Sequence, residues 1–185
     1  MQYVITIDAE KCSGCRICEM VCSMNHIKEC NPERSRIRVL LIEENGFIEN
    51  VPMTCMHCEK ALCELSCPTN AIRKDAVTGA RITEAEKCIG CRSCVYACPV
   101  GATFFDWPQG IAVRCDLCNG DPLCVKNCPA DALEYTSVDK LSAIRMRQGM
   151  ERTFQRETIA SHLGSAHGEA QTLLVPRAGQ FSRGG

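Results

Sequence analysis

Hydrophobic and polar positions along this chain alternate in short bursts separated by turn residues. Tyr3 to Ile7 alternates and reads as a strand. Arg36 to Ile42 and Phe47 to Val51 flank Asn45-Gly46, a pair favoured in two-residue hairpin turns. Ile72 to Lys74 and Arg81 to Thr83 flank a loop containing Thr78-Gly79, and Thr103 to Asp106 and Ile111 to Arg114 flank Pro108-Gln109-Gly110. The pattern predicts small antiparallel ribbons. It changes near residue 138. Ser137 to Ser161 suggests a helix, with Leu141, Ile144, Met150, Phe154 and Ile159 set among Arg145, Arg147, Arg152 and Arg156. The expected division is a folded region over 1–137, a helical partner-docking extension over 138–163 and a disordered tail over 164–185.

Between the ribbons lie the cysteines, and sixteen of the 17 fall into four runs of four. These are Cys12-x2-Cys15-x2-Cys18-x3-Cys22, Cys55-x2-Cys58-x4-Cys63-x3-Cys67, Cys88-x2-Cys91-x2-Cys94-x3-Cys98 and Cys115-x2-Cys118-x5-Cys124-x3-Cys128. The last three runs close on Cys-Pro, and the third is the bacterial ferredoxin signature without departure. Cys67-Pro68-Thr69-Asn70-Ala71, Cys98-Pro99-Val100-Gly101-Ala102 and Cys128-Pro129-Ala130-Asp131-Ala132 repeat one corner. Glu10-Lys11-Cys12-Ser13-Gly14-Cys15-Arg16 repeats in Glu86-Lys87-Cys88-Ile89-Gly90-Cys91-Arg92. Two copies of a two-cluster unit, one pair of runs nested inside the other, explain both repeats.

This spacing suits 4Fe-4S clusters, each of which needs four soft thiolates around a compact body. Two intervening residues let the backbone wrap the cluster with N–H groups turned toward sulfur. Gly14 and Gly90 permit the positive φ that such a wrap demands, whereas His57 and Leu117 stand at those positions and imply different loops. The third and fourth cysteines of each run share one helical face, and the following Pro stops that turn. Ser23 replaces the Pro at the first corner.

Composition agrees. With 185 residues and 5% aromatics, the chain has little side-chain mass for a core, so clusters would fill the interior and drive folding. The formal charge of −1 omits thiolates and clusters, and no basic stripe suits nucleic acid. The longest aliphatic run, Val39 to Ile42, is too short for a membrane span, and the N-terminus lacks an export pattern, so a cytoplasmic site is expected. Cytosolic thiols also favour metal over disulfides. Four-cysteine zinc sites are the competing chemistry, although zinc prefers two separated pairs. Such a zinc-stabilised interaction module would dock partners through the arginine-bearing segment.

Cys30 reads as a buried inert thiol. His26 and His57 lie near cluster ligands, where tuning of potential or coupling to pH is the alternative to simply bonding a backbone carbonyl, so neither is assigned a role. Phe104, Phe105 and Trp107 are expected to pack over a cluster and exclude water. No catalytic constellation is present, so the chain reads as a non-catalytic electron carrier.

Residues 1 to 137 resemble the four-cluster electron-transfer subunits of molybdenum and tungsten oxidoreductases. The compact fourth run and the stretch Cys30-Asn31-Pro32-Glu33-Arg34-Ser35-Arg36-Ile37-Arg38-Val39 look most like the subunit of tungsten aldehyde oxidoreductases. The resemblance implies an α+β fold of two ferredoxin-like two-cluster modules. It implies ligand sets Cys12, Cys15, Cys18 with Cys128; Cys115, Cys118, Cys124 with Cys22; Cys55, Cys58, Cys63 with Cys98; and Cys88, Cys91, Cys94 with Cys67. It implies four 4Fe-4S clusters and a tungsten- or molybdenum-pterin catalytic partner, with a flavin/NAD-binding subunit or a ferredoxin as second partner. Head-to-tail self-association into filaments is a further expectation. The alternative partners are dimethyl-sulfoxide-reductase-type, hydrogenase or carbon-monoxide-dehydrogenase subunits.

Overall fold

The computed structural model describes residues 2–44 and 46–141; the expected extension over 138–163 and tail over 164–185 lie almost wholly outside them. The described chain mixes four short helices with four separate two-stranded antiparallel ribbons, and forms no closed barrel. β1 (Tyr3–Ile7) pairs with β8 (Leu133–Ser137), β2 (Ile37–Glu44) with β3 (Phe47–Thr54), β4 (Ile72–Lys74) with β5 (Arg81–Thr83), and β6 (Phe104–Asp106) with β7 (Ile111–Val113). The fold is α+β. β1, β4 and β5 fall where alternation places them, and β2 and β3 run two or three residues farther.

β8 has no counterpart in the sequence reading. Ile5 faces Tyr135 and Val4 faces Thr136 in its ladder with β1, and the rings of Tyr3 and Tyr135 stack at 5.0 Å. The ribbon joins the two ends of the described region, so the fourth run returns to the first. Ile5, Ile37, Val39, Leu117 and Leu133 pack here with the buried thiols Cys18, Cys22, Cys115 and Cys124. A smaller group, Ile72, Cys94 and Ala112, packs against Cys63 and Cys67. Thiols are thus part of both cores rather than decoration on them.

The helices obey the cysteine spacing. α2 (Leu62–Leu65), α3 (Ser93–Tyr96) and α4 (Leu123–Lys126) are single turns that stop before their Cys-Pro corners. α1 (Ile17–Ile27) differs, because Ser23 keeps the N–H that Pro lacks and the helix continues for 11 residues. Arg34 braces this side of the fold, its Nε and Nη2 both donating to the buried Asp106 carboxylate at 3.2 and 3.0 Å.

Candidate metal centres

The three Cys-Pro corners share one backbone device. Asn70, Gly101 and Asp131 all take positive φ, the conformation that these residue types tolerate best. Each corner closes with a turn in which the third residue after cysteine donates its N–H to the cysteine carbonyl, at 3.2 to 3.4 Å. The next residue, Ala71, Ala102 or Ala132, is then buried. Its N–H is aimed at sulfur in two corners: Ala71 to Cys67 Sγ at 3.2 Å and Ala102 to Cys98 Sγ at 3.3 Å.

The wrap around each run also has a common shape. Gly14 and Gly90 have φ of +70° and +69°. His57 and Leu117 occupy the equivalent places with φ of +47° and +59°, both fully buried. The loops were expected to differ there, yet this left-handed step is kept without glycine. Tight packing holds two bulky residues in a conformation that costs each about 1–2 kcal/mol. The wider gaps do alter the segment beyond that step: in the fourth run Cys118 and Asn119 also have positive φ before Pro122 leads into α4.

The thiols gather across runs. Cys12, Cys15 and Cys18 line one open pocket together with Cys128. Cys88, Cys91 and Cys94 line another together with Cys67. Cys55 has Cys63 and Cys98 as charge neighbours, while Cys124 has Cys115, Cys118 and Cys22. Cys58 is exposed on the Cys55 run, its carbonyl accepting from Arg81. The gatherings also lie within electrostatic reach of one another: Cys124 feels Cys18, Cys115 feels Cys55, and Cys94 feels Cys63.

Burial opposes ionisation of these thiols in the absence of a compensating cation. It pushes Cys18 and Cys115 up to about 12 and Cys55 to about 11, and Cys124 upward as well. A cluster's irons would stabilise the thiolates and release the protons. The donors suit such an occupant. Arg36 N–H points at Cys22 Sγ (3.3 Å), Leu117 N–H at Cys115 Sγ (3.4 Å), and the Arg114 guanidinium at Cys63 Sγ (3.1 Å). Buried polar nitrogens of His57 and Arg114 have no partner among the described residues, as expected beside an acceptor the protein itself does not supply.

The extra turns of α1 serve the fourth run. Asn25 Nδ2 lies 3.8 Å from Cys118 Sγ, and His26 Nε2 lies 3.5 Å from the Asp116 carboxylate, which Arg36 also pairs at 2.5 Å. Burial, with Arg36 close by, lowers the His26 pKa. His57 is neutral, pushed down to about 4 by burial, and its Nδ1 accepts the Arg81 N–H at 3.0 Å, leaving its proton on Nε2. Among the described residues, neither histidine bonds a backbone carbonyl in the manner expected. Nor is Cys30 buried: it is exposed on the loop after α1. Trp107 is 70% exposed, edge-on to Phe105 beneath the Arg92 guanidinium, and so does not seal a site against water; Phe104 lies under Arg38.

The chain is similar to known proteins. Residues 47–138 match the 4Fe-4S dicluster domain and residues 9–25 a 4Fe-4S binding domain. The polyferredoxin-like subunit of the aliphatic sulfonate oxidoreductase of Pyrococcus furiosus is 47% identical over 124 residues, covering 67% of this chain and 70% of that one. The B subunit of the anaerobic dimethyl sulfoxide reductase of Escherichia coli is 34% identical over 158 residues, covering 76% of each. A chain of the active site complex BamBC of benzoyl coenzyme A reductase is 29% identical, with 88% of this chain and 96% of that one covered at a TM-score of 0.41. The cysteines fit 4Fe-4S clusters, and no helix among the described residues is long and apolar enough to cross a membrane. The chain belongs to the family of 4Fe-4S ferredoxin-like electron-transfer subunits of oxidoreductases.

Proposed function

We propose that this chain relays single electrons through four 4Fe-4S clusters, between a tungsten- or molybdenum-pterin catalytic subunit and a second redox carrier. The sets are Cys12, Cys15, Cys18 and Cys128; Cys22, Cys115, Cys118 and Cys124; Cys55, Cys58, Cys63 and Cys98; and Cys67, Cys88, Cys91 and Cys94. The observation that supports this reading is which thiols lie within electrostatic reach across sets. The pairs Cys18–Cys124, Cys115–Cys55 and Cys63–Cys94 connect each proposed set to the next. The two open cavities belong to the terminal sets, where a partner would hand over or collect an electron.

Bound 4Fe-4S clusters would supply one-electron chemistry at potentials that the protein adjusts. The chain's own part is to hold thiolates, direct N–H groups at their sulfurs and keep the middle of the line dry. One inner set includes Cys22, Cys115 and Cys124, all buried, whereas the other is only half-buried apart from the exposed Cys58.

The aldehyde-oxidising tungsten enzyme is the partner we favour, on the compact fourth run and the stretch from Cys30 to Val39. The dimethyl sulfoxide reductase relative supports a molybdenum partner as second reading. We read the chain as cytoplasmic, organised as two nested two-cluster modules, with 138–163 docking the partner. A flavin/NAD-binding subunit or ferredoxin would be the second carrier, and stacking into filaments would extend the line. Anaerobic co-purification with metal and sulfide analysis tests this. The expected complex holds about sixteen irons on this chain, with tungsten on its partner. A colourless zinc protein, or about eight irons, overturns the four-cluster reading.

A further inference from the structure

Arg114 lies between the end of β7 and Cys115, following the apolar stretch Ile111-Ala112-Val113 with a charge. Its side chain does not reach solvent, since the residue is 2% exposed. A buried guanidinium ordinarily meets a carboxylate, because an unpaired charge in the interior is costly. Arg34, Arg36 and Arg81 each do so, with Asp106, Asp116 and Glu64. Arg114 makes no carboxylate ion pair among the described residues. Among the described residues its Nη1 donates to Cys63 Sγ at 3.1 Å, while Nε and Nη2 are buried without a partner. The same guanidinium also adjoins the Cys94 and Cys55 thiols.

Those thiols belong to two different sets. Cys55 and Cys63 belong to the inner set of this half, and Cys94 to the terminal one that lines its own cavity. The guanidinium therefore stands at the junction where the two meet. A planar fork with five N–H donors, charged at every accessible pH, can face acceptors on two sides at once. We infer that Arg114 is the shared counter-charge of the two sites built from Cys55, Cys58, Cys63, Cys98 and from Cys67, Cys88, Cys91, Cys94. Its unpaired N–H groups await cluster or thiolate sulfur.

The consequence is directional. A cation fixed between two sites stabilises an added electron on either one, and raises both midpoint potentials together. The far terminal set has the opposite charge beside it. Cys18 is followed by the buried Glu19 carboxylate, whose charge acts on its thiol. The line is thus biased so that electrons reside on the Arg114 half. This inference rests on the four-site reading, but it is separable from it, since iron content reports the sites and potentials report the arginine.

The test is EPR-monitored redox titration of the purified full-length protein beside R114Q and R114K. In R114Q, the reduced-to-oxidised ratio of two clusters at a fixed potential should fall at least tenfold, a shift of about 59 mV or more for one electron. The other two should hold their midpoints, iron content should be unchanged, and R114K should restore most of the shift. If R114Q fails to retain iron, wild-type protein grown with arginine labelled by 15N in the guanidinium alone decides, since a guanidinium nitrogen should then couple to the spin of two reduced clusters. Unmoved midpoints, a change confined to one cluster, an equal shift in all four, or no nitrogen coupling would overturn the assignment.

Discussion

The hydroxyl of Ser23 accepts the backbone N–H of Asn31 at 3.1 Å while donating to the Met20 carbonyl at 2.9 Å. This fully buried serine therefore closes the loop after α1 from a position where the other three runs carry proline. The continued helix is what delivers Asn25 and His26 to the fourth run. Ser23→Pro should remove an interior helical hydrogen bond and cost about 3 kcal/mol. Ser23→Ala loses only the side-chain bonds and should cost about 1 kcal/mol. Thermal unfolding of the two variants should show this order, and equal melting temperatures would contradict it.

Cys128 and Cys30 should behave as opposites. Cys128 lines the cavity of Cys12, Cys15 and Cys18, whereas Cys30 lies exposed on a loop. Cys128→Ser should lose about four irons, the content of one cubane, and the visible absorbance that goes with them. Cys30→Ser should lose none. Retention of full iron by the Cys128 variant would mean that the first run finds its fourth ligand elsewhere.

What the sequence made legible was whatever depends on local chemistry. Strand alternation placed β1, β4 and β5, and cysteine spacing placed the helical turns. The hidden features depend on distant partners. Leu133 to Ser137 becomes a strand because β1 lies beside it. Leu117 holds a conformation that its residue type resists because the core encloses it. Cys30 follows the same logic in reverse: a thiol's ordinary preference for burial does not apply where the helix end delivers the chain to the surface. Arg114 did leave a trace, as the charge that follows an apolar strand, next to a cysteine. Only its lack of a carboxylate partner gives that trace a meaning.

Gly90→Ala should be more damaging than Gly14→Ala. Both residues have positive φ, so both substitutions strain the backbone by about 1 kcal/mol. A Cβ at position 90 would also lie 2.8 Å from the Gly110 carbonyl oxygen, which is backbone and cannot turn aside. At position 14 the obstacle is the Asn50 side chain, which can. The expected result is lower iron occupancy and faster cluster loss for Gly90→Ala, read from absorbance decay. The reverse order would place the rigid contact at Gly14.

His57 predicts a pH window. Burial pushes its pKa from the ordinary 6.5 down to about 4. Between those values the unfolded chain binds a proton that the folded chain refuses. Stability is therefore complete above 6.5, falls as pH drops toward 4 and levels off below, by about 3 kcal/mol in all. His57→Gln retains an acceptor for the Arg81 N–H but does not titrate. Wild-type melting temperatures should drop relative to this variant across that window. Parallel profiles would show that His57 is protonated in the fold.

Glu19 should act on potential with the opposite sign to Arg114. The Cys18 thiol is pushed up to about 12, first by burial and next by the Glu19 carboxylate. That carboxylate accepts the Val39 N–H at 2.7 Å through Oε1, while Oε2 is buried without a hydrogen bond, 3.8 Å from Arg16 Nη1. A negative charge so placed disfavours an added electron on the neighbouring site. Glu19→Gln keeps the acceptor for Val39 and removes the charge. The midpoint of one cluster, the one on Cys12, Cys15, Cys18 and Cys128, should therefore rise while the rest stay fixed. Each tenfold gain in its reduced-to-oxidised ratio corresponds to about 59 mV. A fall, or no movement, would mean that Arg16 already neutralises Glu19 and that the bias along the line comes from the arginine side alone.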